Sequence, residues 1–171
     1  MKEIDGFTEF VGSRLPALIR LGYLLTGDHQ HGEDLVQTAL LKTAQHWKRV
    51  TDPSAYTRRV MVHENISWWR RRRFREQSLD ADADRASDED TAEAVTRREV
   101  FMVALRRLTP RQRAVIVLRF YEDLSEAETA SALGCAVGTV KSGTHHALAR
   151  LRELSPELAA LVPALTTTEV A

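Results

Sequence analysis

Two tryptophans followed directly by four arginines, Trp68, Trp69, Arg70, Arg71, Arg72 and Arg73, are the densest set of ligand-binding side chains in the chain. Indole rings stack on flat π systems, and guanidinium groups neutralise phosphates. A second set, Thr139, Lys141, Ser142, His145 and His146, combines one cation, two hydroxyls and two imidazoles. These are hydrogen-bonding groups of the kind that read base edges in a major groove. At about 100° per residue, Lys141, Ser142, His145 and His146 fall opposite Val140, Thr144, Ala147, Leu148 and Leu151. The competing reading is an ordinary solvated helix face, which more often carries Glu. None stands between Glu128 and Glu153, which favours the groove-reading face.

Signatures of catalysis are missing. The sequence has no phosphate-cradling Gly loop, no nucleophile elbow and no carboxylate pair in an apolar setting. His29 and His31 lie near Glu33 and Asp34, but in a turn and helix start where polar residues are expected anyway. Cys135 is the single cysteine, so it has no internal disulfide partner and no metal-ligand cluster around it. No catalytic residue, metal, cofactor or small-molecule substrate is therefore expected.

The elements that must position these groups read as helices throughout. Apolar residues recur every three or four positions, and sustained strand-like alternation is absent. A first helix is expected over about 5–25, with Phe7, Phe10, Val11, Leu18 and Ile19 inward, stopped at Thr26-Gly27-Asp28. A second, about 31–48, carries Val36, Leu40, Ala44 and Trp47 along one stripe. Asp52-Pro53 sets the start of a third, with Tyr56, Val60, Val62 and Ile66 leading into the two tryptophans. Neighbouring helix residues point about 100° apart, so one of Trp68 and Trp69 is expected in packing and the other outside.

Further along, Thr109-Pro110-Arg111-Gln112 and Ser125-Glu126-Ala127-Glu128 both read as capping-box helix starts. The second helix stops at Gly134, and another opens at Gly138-Thr139-Val140 and runs to about Leu154. A short helix, a Gly-containing turn and a longer helix make a helix-turn-helix.

Of the 171 residues, 43% are hydrophobic and 28% charged, enough for a core and for solubility. No apolar run approaches the roughly 20 residues that span a bilayer, and no signal-peptide pattern opens the chain, so a cytoplasmic, membrane-free protein is expected. The net charge of zero conceals segregation. Residues 1–75 hold 13 Lys and Arg against 8 Asp and Glu, residues 76–95 hold 1 against 8, and residues 96–171 hold 10 against 8. The acidic stretch has little apolar content with which to offset ordering entropy and reads as a flexible linker. The expected fold class is all-α, two small helical domains joined by that linker, the C-terminal one a helix-turn-helix. The expected divisions are 1–75, the linker 76–95, a helix-turn-helix domain 96–156 and a tail 157–171.

In these residues the chain resembles the extracytoplasmic-function sigma factors of bacterial RNA polymerase, in their actinobacterial branch. LTPRQRAVIVLRFYEDLSEAETASALGCAVGTVKS, from Leu108 to Ser142, is similar to their C-terminal promoter-binding domain. GEDLVQ, from Gly32 to Gln37, is similar to their polymerase-binding helix, and VHENISWWRRR, from Val62 to Arg72, to their promoter-melting helix. The stretch from Leu15 to Asp28 resembles the opening of the actinobacterial branch. The resemblance implies that the N-terminal domain docks on core RNA polymerase and opens the minus-ten element, while the C-terminal domain reads the minus-thirty-five element.

Carried over by position, it places polymerase contacts at Asp34, Gln37, Thr38 and Leu41, whose spacing shares one helix face. It places the capture of a flipped base in the loop from Trp47 to Tyr56, with Asp52, Ser54, Ala55 and Tyr56 as walls. His63, Trp68, Trp69 and Arg70 to Arg73 complete the minus-ten set, and Thr139, Lys141, Ser142, His145 and His146 form the minus-thirty-five set. Three positions depart from the common pattern: His63 stands where many relatives carry Asn, Gly143 where many carry Arg or Gln, and His146 for a frequent Arg. The resemblance also implies promoter DNA and, for many members, an anti-sigma partner. The alternative is a stand-alone helix-turn-helix regulator, which would bind duplex promoter DNA without polymerase.

Overall fold

The computed structural model describes residues 2–78 and 97–156, with side chains described over 6–76 and 99–156. The expected tail and all of the expected linker beyond residue 78 lie outside the described residues. Among these no strand occurs, and seven α-helices follow in order: α1 (Lys2–Thr26), α2 (His29–His46), α3 (Pro53–Ser78), α4 (Arg97–Arg106), α5 (Pro110–Ile116), α6 (Glu126–Leu133) and α7 (Val137–Leu154). A single 3-10 turn, Trp47–Arg49, follows α2, and a π turn, Val117–Tyr121, extends α5.

The helix starts have local causes. Asp28 caps α2 by accepting from the His31 N–H at 2.7 Å, and Asp52 caps α3 by accepting from the Ala55 N–H at 2.9 Å. Both expected capping boxes are complete, Thr109 with Gln112 on α5 and Ser125 with Glu128 on α6. Gly134 ends α6 at φ 63°, a left-handed backbone that glycine adopts without Cβ strain.

The first two helices cross at glycine. A Cβ built on Gly22 would lie 2.6 Å from the Gly32 carbonyl oxygen, and one on Gly32 would lie 2.9 Å from the Gly22 carbonyl carbon. Only two glycines let the backbones approach so closely. Leu18, Leu21 and Leu25 of α1 then meet Leu35, Val36 and Ala39 of α2 and Met61 and Val62 of α3 in one core. In the C-terminal half, Leu105, Leu108, Ile116, Leu118, Leu133, Val140, Leu148 and Leu151 are buried together.

The inward faces differ from the expected stripes in three helices. Ile19 is 36% exposed, because the α1 core face is centred on Leu18, Leu21 and Leu25. Ala44 is exposed and Trp47 half-buried, because α2 ends at His46 and its buried row is Leu35, Val36, Ala39 and Thr43. Trp47 leaves that row to pack edge-on against Phe7, at 5.3 Å between ring centroids. On α3 the buried residues are Thr57, Met61, Val62 and Asn65, with Val60, Tyr56 and Ile66 only half-buried. Two are polar residues whose hydrogen bonds make burial tolerable: the Thr57 hydroxyl pairs with that of Thr43 at 2.8 Å, and the Asn65 amide donates to the Leu25 carbonyl at 3.1 Å.

Candidate nucleic-acid interface

The helix-turn-helix of α6 and α7 places the second residue set on one surface. Val140, Ala147, Leu148 and Leu151 are buried against the domain, while Thr139, Lys141, Ser142, His145 and His146 are all exposed. The two histidine rings lie edge to face at 5.9 Å, and Lys141 Nζ stands 3.5 Å from the Glu126 carboxylate of α6. That carboxylate partly offsets the only Lys on the face, so α7 presents hydrogen-bonding groups more than fixed charge. Gly143 lies to the inward side: a Cβ there would sit 3.7 Å from a Val115 methyl, an ordinary contact.

The aromatic and arginine set occupies the C-terminal turns of α3. Neither tryptophan is fully buried, so the expected division into one core and one outward ring is replaced by a ledge of two half-buried rings. Trp68 and Trp69 meet edge to face at 4.9 Å, and the Arg72 guanidinium lies 5.3 Å from the first ring and 5.5 Å from the second. His31 of α2 packs on Trp68 at 4.0 Å, which ties the ledge to the N-terminal core. Burial pushes the His31 imidazole below its ordinary pKa, against the upward pull of Asp28 and Asp34, with Arg72 adding to the depression. Arg70, Arg71, Arg72 and Arg73 are exposed, and Arg72 also pairs with Glu76 one turn on, at 2.8 Å.

Beside the ledge runs a groove of about 410 Å³ whose walls include Trp69, Arg70, Arg73, Phe74 and Arg111. Phe74 is 72% exposed. A ring face flanked by guanidiniums suits a base with its phosphates. Phe74 and Arg111 were not singled out from sequence, although a Phe inside an arginine run is a usable signal.

The other expected residues are placed as follows. Asp52 is exposed but spends its carboxylate on the α3 cap. Ala55 is exposed, Ser54 half-buried, and Tyr56 half-buried with its ring 5.8 Å from His46. His63 is exposed on α3, its ring against the α-carbon side of Gly134. On α2, Asp34, Gln37 and Leu41 are exposed and Thr38 half-buried along one face, with Leu41 at 66% exposure. His29 stacks on Tyr23 at 3.9 Å. Among the described residues no helix is long and apolar enough to cross a membrane.

A helix-turn-helix with an exposed polar face, joined to a helical unit carrying a tryptophan and arginine ledge, has the features of the nucleic-acid-binding proteins. Residues 10–75 match the family described as Sigma-70 region 2, and residues 98–151 match Sigma-70, region 4. The chain is 44% identical over 154 residues to the RNA polymerase sigma-E factor of Streptomyces avermitilis, covering 88% of this chain and 86% of that one. It is 34% identical over 148 residues to the ECF RNA polymerase sigma factor SigL of Mycobacterium tuberculosis, covering 82% and 84%. Among solved structures it matches the sigma factor RpoE of Bartonella quintana, crystallised with the anti-sigma factor NepR, at TM-score 0.68 and 28% identity, covering 87% of this chain and 96% of that one. The chain belongs to the RNA polymerase sigma factors, in the extracytoplasmic-function group. It binds core RNA polymerase, directs it to specific promoters and promotes DNA melting for transcription initiation.

Proposed function

We propose that the three exposed residue sets divide the work of initiation between them. The α7 face of Thr139, Lys141, Ser142, His145 and His146 reads the minus-thirty-five element in the major groove. The α3 ledge of Trp68 and Trp69, with Arg70 to Arg73 and His63, engages the minus-ten element as it opens. The α2 face of Asp34, Gln37, Thr38 and Leu41 docks on polymerase. The observation that carries this reading is the ledge: half-exposed, edge-to-face indoles beside a guanidinium fit unpaired bases with their phosphates, and duplex-only binding has no use for them. Unstacking a base costs a few kcal/mol, and stacking on an aromatic ring returns about 1–3 kcal/mol per base.

Within this reading the protein carries out no reaction of its own, works in the cytoplasm and divides at about residues 1–75 and 96–156 around the acidic linker. Asp52 contributes by holding the first turn of α3 in place, which sets Ser54, Ala55 and Tyr56. Because RpoE of Bartonella quintana forms a complex with an anti-sigma factor, we extend a partner of that kind to this chain. The test is permanganate footprinting of unpaired thymines on a promoter with holoenzyme. Trp69→Ala and Trp68→Ala should reduce minus-ten reactivity while leaving polymerase association intact. Undiminished reactivity in both variants would remove the ledge from melting.

A further inference from the structure

Arg72 differs from its neighbours in the arginine run. Its Nε donates to the Glu76 carboxylate at 2.8 Å, and its guanidinium carbon lies over both indoles, 5.3 Å from the Trp68 ring centre and 5.5 Å from that of Trp69. The indole quadrupole attracts the cation, and the carboxylate offsets its charge. Trp68 has a second neighbour, from another helix. The His31 ring of α2 lies 4.0 Å from it, tilted by 43°. His31 is itself held in place, since its backbone N–H donates to Asp28 in the α2 cap at 2.7 Å. A Trp side chain on a helix surface ordinarily samples several rotamer wells. Contacts from α2 and from the next turn of α3 restrict Trp68 to fewer of them.

Taking the ledge as the minus-ten contact, we infer that His31 and Arg72 are positioning residues for promoter melting, which fix Trp68 in the orientation that receives an unpaired base and make no DNA contact themselves. The charge of Arg72 is matched by Glu76 with or without DNA, so binding releases few counterions on its account. His31 serves this role as the neutral imidazole. The charged groups around it are Asp28 and Asp34 on its own side and Arg72 from α3. Burial, aided by Arg72, outweighs the pull of the two carboxylates, so His31 loses its proton more readily than an ordinary histidine. Protonation sets a second cation beside the one already on the Trp68 ring, where the two repel. Acidification therefore frees Trp68.

Permanganate footprinting of minus-ten thymines with saturating holoenzyme reads the consequence, each variant scored as its ratio to the parent. Arg72→Gln should lower reactivity about fivefold, the loss of one cation–π contact, while the log–log salt slope of promoter binding stays at the parent value. Arg70→Gln should instead flatten that slope by about one unit. An equal flattening in Arg72→Gln would make Arg72 a phosphate contact and overturn its positioning role. His31→Ala should lower reactivity about fivefold at neutral pH, the loss of one aromatic pair, and His31→Phe, which keeps a ring, should restore most of it. As pH falls below about 6.5, the parent should lose reactivity relative to His31→Phe. A ratio of the two that stays flat with pH overturns the role of His31.

Both losses should disappear in a Trp68→Ala background, because both residues act through that ring. Losses of full size without Trp68 would place their action elsewhere and overturn the inference. The contact is also read in the free full-length chain, without DNA. The fluorescence of Trp68, taken as the difference that Trp68→Phe makes, should step with pH when residue 31 is His and stay flat in His31→Phe. No step with His31 present overturns the contact. Full footprinting reactivity in Trp68→Ala, with the fluorescence step intact, would instead refute the assignment of the ledge to melting, and the positioning role with it.

Discussion

Arg113 is a buried cation whose described hydrogen-bond partners are all carbonyls. Its Nε donates to Leu105 at 2.8 Å, and its terminal nitrogens donate to Leu25, Arg106 and Leu108. Burial, with Arg106 nearby, lowers its pKa to about 10, which still leaves it charged at neutrality. One side chain thereby satisfies carbonyls at the ends of α1 and α4 together. Arg113→Met keeps much of the volume but strands those acceptors, and should destabilise the fold by about 3 kcal/mol in urea titration. Gly143 gives the opposite sign. A methyl fits against Val115, so Gly143→Ala should stabilise by about 1 kcal/mol in the same titration. His31 brings a pH dependence. Its folded pKa is depressed, so the folded chain binds fewer protons than the unfolded one below the ordinary histidine value of about 6.5. Its contribution is present above that value and is lost as pH falls through the depressed folded pKa. The drop in stability on acidification should be smaller in His31→Phe than in the parent; an equal drop would assign it to other groups.

At the scale of elements, the starts and stops were the legible part. Asp28, Thr109-Pro110, Ser125 to Glu128 and Gly134 act through neighbours in sequence, so their roles follow from order alone. Ser125→Ala should accordingly cost about 1 kcal/mol of stability, read by thermal or urea unfolding. The outward face of α7 was legible for a related reason, since its opposite face carries a row that is apolar at Val140, Ala147, Leu148 and Leu151 and broken only at Thr144. The rows on α2 and α3 were not. Thr43, Thr57 and Asn65 are polar residues in buried positions; the two threonines bond carbonyls one turn back and meet each other between helices, and Asn65 finds its carbonyl 40 positions away, pairings between helices that neither sequence stretch marks. The crossing of Gly22 on Gly32 was equally hidden, because close approach is a property of two helices and not of either sequence. Gly32→Ala should force α1 and α2 apart and cost about 3 kcal/mol. The tryptophans show the same limit: counting angles divides them into one inside and one outside, whereas His31 and Arg72 arrive from other turns and hold both half-exposed.

For the whole molecule, a net charge of zero conceals a division that matters for binding. If the exposed arginines of α3 meet phosphate, as proposed, removal of any one of Arg70, Arg71 or Arg73 should flatten the salt dependence of promoter binding by about one unit of log–log slope. The packing of one half on the other was not legible in the sequence, since Arg58 and Glu122 carry no mark of their pairing. The most direct test of the central claim is run-off transcription with purified core polymerase over a library of promoters. Two helical units acting at two promoter elements through polymerase predict discrete start sites that need both chain and core. Failure to associate with core, or association that opens no start site, would contradict the account.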